Sequence, residues 1–127
     1  MKALNENKCP LKRTEEQEAL AKKFGFYWTE LSQIISQIQS ECLEVEEAYA
    51  KNDRTHLQEE IGDLLQAAAC LAIFCNFDPK ETLQKSVDKF QKRYDKVVAL
   101  AEKDGLNNLL NHSQESLLNY WKKAKET

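Results

Sequence analysis

The sequence predicts an all-α fold, an antiparallel helical bundle of about four to five helices, and three observations predict it. Three glycines and two prolines in 127 residues are few, which permits long helices and disfavours tight-turned β architecture. Apolar residues recur every three or four positions. The breaks between these stretches are short, so successive helices run as antiparallel neighbours.

The length suits one domain with a core that needs no disulfide staples. Residues 1–13 are polar and mixed and read as an N-terminal arm, leaving 14–127 as the domain. Thr14 with Gln17 three positions later resembles a capping box for a short helix ending at Phe24-Gly25. Thr29 opens a longer helix carrying Leu31, Ile34, Ile35, Ile38, Val45 and Ala48 at helical spacing. Lys51-Asn52-Asp53 breaks it, and the next helix runs from Arg54 to about Phe74 with a broad apolar face. Asn76-Phe77-Asp78-Pro79 is a turn, with Asp78 as N-cap and Pro79 in the first helical position. The fourth helix has the stripe Leu83, Val87, Phe90, Tyr94, Val97 and Val98 and ends before Gly105. Ser113 caps a last helix holding Leu117, Leu118 and Trp121.

Composition excludes several function classes. A formal net charge of −3 lacks the basic surplus of a general nucleic-acid binder. The four cysteines form no C-x-x-C pair and no histidine cluster joins them, which argues against zinc. Cys42 and Cys70 read as small core residues. The start has no apolar targeting stretch, and Leu64 to Phe77, the most apolar run, is too short to span a bilayer. Reduced thiols and no membrane segment make a cytoplasmic protein the expectation.

The chemistry-bearing residues are acidic. Glu41 and Glu44 lie three apart on one expected helix, and Glu60 and Asp63 lie three apart on the next. Each pair occupies one helix face. The pairs sit about equally far from the break at residues 51–53, so folding back brings them level. Four converging carboxylates repel one another unless a divalent cation holds them. Oxygen-only ligation points to magnesium or manganese. The alternative is a solvated acidic face, since such pairs are common on helix surfaces, and Glu46 and Glu47 fit that description.

Ser40-Glu41-Cys42-Leu43-Glu44 followed by Glu59-Glu60-Ile61-Gly62-Asp63-Leu64-Leu65 resembles the MazG-type nucleotide pyrophosphohydrolases, marked by E-E-x-x-E and then E-x-x-D. Lys89-Phe90-Gln91-Lys92-Arg93 resembles the family's K-x-x-x-R segment. The tail from Ser116 to Lys125, with Trp121 and Lys125, is similar to its closing W-x-x-x-K helix, and Trp28 matches an aromatic ahead of the first metal helix. One departure is Ser40, where the family has the first Glu of E-E-x-x-E; it leaves the four ligands intact and touches only an outer or second metal position.

The resemblance implies an enzyme that hydrolyses a nucleoside or deoxynucleoside triphosphate to monophosphate and pyrophosphate, in a role such as nucleotide-pool cleaning. It implies Mg2+ on Glu41, Glu44, Glu60 and Asp63, and a homo-oligomer, dimer or tetramer. A carboxylate beside the metal, Glu59 or Glu44, is the candidate base for an attacking water. Lys89 and Arg93, four apart on one face, are candidates for phosphate oxygens. Trp121 can stack on a base and Lys125 reach phosphate, or Trp121 can simply pack the last helix. His56, one turn before Glu60, is a further candidate phosphate contact. The competing reading is a non-catalytic nucleotide- or metal-binding module, or a helical interaction module, of the same fold.

Overall fold

The computed structural model describes residues 9–126. They form five helices and no strand, as the sparse glycine and the 3.6-residue periodicity predict. Residues 1–8 of the expected arm, and Thr127, lie outside the described residues. The chain divides into two compact units, Met1–Thr82 and Leu83–Thr127, taken separately below.

In the first unit, α1 spans Pro10–Phe24 and starts earlier than the sequence suggests. Pro10 presets the backbone of the first helical position, so the helix begins there. Thr14 is buried inside it and its hydroxyl donates to the Pro10 carbonyl at 2.9 Å, which displaces the expected cap at Thr14. Gly25, at φ 100°, ends the helix in the left-handed region that favours glycine.

Helix α2 spans Leu31–Ala50 and α3 spans Arg54–Phe74. The Gln33 side-chain oxygen accepts from the Thr29 and Glu30 backbone amides, both at 3.0 Å, and locks the start of α2. Asn52 takes φ 55° in the break, and Asp53 caps α3 by accepting from the His56 amide at 3.1 Å. So short a connection forces α3 back along α2. Ile34, Ala48, Leu57, Ala67 and Ala69 are buried in this unit, and the alanines allow close helix approach. Helix α1 packs on α3. Cys70 is half-buried, whereas Cys42 is exposed and is not a core residue. At the next turn, Asp78 Oδ1 accepts from the Lys80 amide at 3.0 Å and Oδ2 from Lys12 Nζ at 2.8 Å, which ties α1 to the start of α4.

Helix α4 spans Pro79–Lys103 and α5 spans Gln114–Glu126. In the second unit Gly105, at φ 79°, closes α4, and Ser113 caps α5 through the Ser116 amide at 3.1 Å. Phe90 meets Trp121 with ring centroids 5.5 Å apart, and Ala101 and Ala124 are buried. Most of the α4 stripe differs from expectation: Leu83, Val87, Phe90 and Tyr94 are exposed. No single described helix is long and apolar enough to cross a membrane.

Asp78→Ala removes both a helix cap and an ion-pair partner. It is expected to cost about 1–2 kcal/mol in urea unfolding, with Asp78→Asn recovering most of the cap contribution. Equal losses in the two variants would show that the cap contributes nothing.

Candidate metal centre and adjoining cavities

The fold-back of α3 along α2 brings the two acidic pairs together. Glu41, Glu60 and Asp63 each offer a carboxylate oxygen, and these oxygens lie within 4.8 Å of one another. Glu44 reaches the same cluster, against Glu60. Glu41 and Glu60 are both only 8% exposed, while Asp63 and Glu44 open to solvent.

Burial without partners is costly for a carboxylate. Gln37 Nε2 donates to Glu41 Oε1 at 2.9 Å, and His56 Nε2 lies 3.3 Å from Glu60 Oε1. The other oxygens, Glu41 Oε2 and Glu60 Oε2, are buried with no hydrogen-bond partner. The Glu44 carboxylate, burial and then Glu41 push the Glu60 carboxyl up to about 8. Three oxygen donors within one coordination sphere, two of them with orphaned oxygens, fit a hard divalent cation. The donor set contains neither sulfur nor imidazole.

A cavity of about 300 Å3 begins at Glu41 and Asp63 and is also lined by Gln37, Gln66, Trp28 and Cys70. A larger one, about 570 Å3, adjoins it, since Trp28, Ile34 and Cys70 line both. Its walls are Tyr27, Trp28 and Phe74, with Glu15, Glu18 and Lys22 from α1 and Asn76 from the turn. The acidic cluster thus borders the smaller cavity, and most of the aromatic surface lies in the larger one beside it.

Glu59 is exposed on α3 next to Glu60. His56 sits on Glu60. Arg93 lies over the Trp121 ring, 5.7 Å from its centroid, within the second unit. Phe90 and Arg93 thus engage Trp121 inside its own unit, which favours the packing alternative for that ring. Lys89 and Lys125 are exposed on α4 and α5.

Sequence reading missed Gln37, although its position four before Glu41 on one helix face was the available signal. It also missed the α1 wall, because Glu18 meets Cys70 across 52 positions of chain.

An all-helical protein with an oxygen-only acidic centre opening into an aromatic cavity is the class that fold and site define. The MazG nucleotide pyrophosphohydrolase domain matches residues 29–98, more than half the chain, and the chain belongs to that family. It is 40% identical over 105 residues to the nucleoside triphosphate pyrophosphohydrolase/pyrophosphatase MazG of Thermotoga maritima, covering 83% of this chain and 40% of that protein. It is 30% identical over 117 residues to the nucleoside triphosphate pyrophosphohydrolase of Escherichia coli, covering 91% of this chain and 44% of the other. The Bacillus subtilis protein YabN shares 35% identity over 72 residues. The chain thus spans less than half the length of these relatives.

The raised Glu60 carboxyl has a stability consequence without metal. The folded state holds a proton that the unfolded chain has released between about pH 4.5 and 8, so this group's contribution is present below that window and lost as pH rises through it. In chelator, the melting temperature of the parent relative to Glu60→Gln is expected to fall from about pH 5 to about pH 8. Parallel melting curves would contradict the buried arrangement.

Proposed function

We propose that this protein hydrolyses a nucleoside or deoxynucleoside triphosphate to monophosphate and pyrophosphate with magnesium, manganese being a substitute. The observation that carries the reading is the buried Glu41 and Glu60 pair, each with an orphaned oxygen, with Glu41 lining a cavity that Trp28 shares with the larger aromatic one. The names of the Thermotoga and E. coli relatives support it.

Glu41, Glu44, Glu60 and Asp63 would hold the cation. Bound there, a divalent metal supplies charge neutralisation to the triphosphate and acidifies water. Glu59 or Glu44 accepts the proton of the attacking water, Glu44 being the one in contact with the cluster. In-line attack on the α-phosphorus breaks the bond to the bridging oxygen and releases pyrophosphate. Gln37 orients Glu41, and His56 holds Glu60 beside the phosphates. Lys89, Arg93 and Lys125 serve phosphate oxygens, with Trp121 supporting Arg93. The base lies in the larger cavity, against Trp28 and Tyr27. Two exposed leucines favour a homo-oligomer, dimer or tetramer: Leu43 on α2 and Leu65 on α3 are 61% and 67% exposed, surface that a second copy would cover. The setting we assign is the cytoplasm, with nucleotide-pool cleaning as the role.

With magnesium and a panel of triphosphates, pyrophosphate is the expected product; orthophosphate alone would contradict the assignment, and binding without turnover would support the non-catalytic module. Asp63→Asn is expected to lower turnover at least about a hundredfold while the melting temperature holds. Lys89→Ala is expected to raise KM for nucleotide more than it weakens metal binding, measured by titration of each; no change in KM would remove Lys89 from the site. Light scattering should give a mass of at least twice the 14.7 kDa chain, and a monomer would refute the oligomer.

A further inference from the structure

The aromatic cavity carries a polar edge of its own, and that edge comes from α1. Glu15 and Glu18 lie three apart on one face of α1 and both line the larger cavity. The Cys70 thiol, reaching across from α3, donates to Glu18 Oε1 at 3.1 Å. Burial, then the contact with Glu18, pushes this thiol up to about 12, so it stays protonated and remains a donor. The bond holds Glu18 in place and leaves its second oxygen as an acceptor. Glu15 adds another acceptor: its Oε2 is buried without a hydrogen-bond partner, with Lys12 Nζ no nearer than 3.6 Å. Lys22 is turned over the Tyr27 ring, 5.9 Å from the centroid. Asn76, whose amide both donates and accepts, stands at the same cavity.

We propose that Glu18, positioned by Cys70, makes this cavity select nucleobases that carry an exocyclic amino group. The proposal rests on the function proposed above, which puts the base in this cavity, and it adds the substrate class. An amino group donates to a carboxylate. A carbonyl in the same place sets lone pairs against lone pairs and leaves the acceptor unpaired, and sites built on a hydrogen bond reject the analogue that lacks it. Cytosine and adenine offer an amino group beside a ring-nitrogen acceptor, which Asn76 can satisfy from its donor side. Uracil and hypoxanthine offer a carbonyl at that position. The volume of about 570 Å3 accommodates a base and its sugar between aromatic walls. Helix α1 also ends before the residues matched by the family domain begin, so this wall is supplied by a segment outside the match.

Matched pairs test it. Pyrophosphate release with magnesium is measured for CTP against UTP and for ATP against inosine triphosphate, in the parent, in Glu18→Gln and in Glu15→Gln. The parent is expected to favour the amino member of both pairs by at least about tenfold in kcat/KM. Glu18→Gln is expected to bring both ratios toward one, because an amide can turn its donor to a carbonyl. Glu15→Gln, which leaves the Cys70 bond intact, is expected to move them less. Parent ratios near one would overturn the proposal, as would a Glu18→Gln variant that slows all four nucleotides equally. Calorimetric binding of CMP against UMP separates this from the enzymatic assignment. If no triphosphate yields pyrophosphate but CMP still binds more tightly than UMP and Glu18→Gln erases the difference, the catalytic reading falls and the base selection stands. Equal binding of CMP and UMP by the parent would overturn the base selection even where pyrophosphate is released.

Discussion

The structure depends on two glutamates, Glu41 and Glu60, buried face to face between α2 and α3. Two carboxylates taken out of water side by side cannot both stay charged without help, because repulsion and lost hydration act together. The protein supplies partial help on one oxygen of each, through Gln37 and His56, and leaves the other oxygen of each unpartnered. A proton on Glu60 relieves the strain below about pH 8, and a divalent cation would relieve it in the proton's place. The rest of the first unit can be read as the scaffold that makes this arrangement tolerable: a capped, three-residue reversal, alanines at the helix interface, and a small apolar core around Ile34.

From that centre, aromatic surface increases outward in a way that suits an amphipathic ligand. Acidic oxygens stand at one end, Gln37 and Gln66 line the smaller cavity, and Tyr27, Trp28 and Phe74 wall the larger one. A nucleotide has the same gradient, from charged phosphates through sugar to a flat base. The loop from Gly25 to Glu30 matters here, because the glycine turn that ends α1 delivers Tyr27 and Trp28 to the cavity. Helix α1 closes the far side and brings its own carboxylates, so this wall is separate from the two helices that carry the acidic cluster.

The acidic centre was legible because helical spacing and a short break are both local facts. Glu41 with Glu44, and Glu60 with Asp63, share faces by counting alone, and an antiparallel return puts the pairs level. The helix stops at Asn52, Asn76 and Gly105 were legible for the same reason, since left-handed backbone selects those residues. The start of α1 was not. Thr14 and Gln17 have the pattern of a cap, but Pro10 can begin a helix without one, and the two local signals compete. The exposed stripe of α4 was not legible either, since periodicity reports that a helix has an apolar side without reporting what covers it.

What this sequence determined by itself is the set of helices, their stops and the pairing of acids on two adjacent faces, all consequences of interactions within a few residues. Only the tertiary structure decided which oxygens are buried and orphaned, that Cys70 holds Glu18, and that α1 joins Trp28 around a cavity next to the one the acidic centre lines. Those facts need side chains dozens of positions apart to meet, and burial is a property of the packed whole that no stretch of chain carries alone.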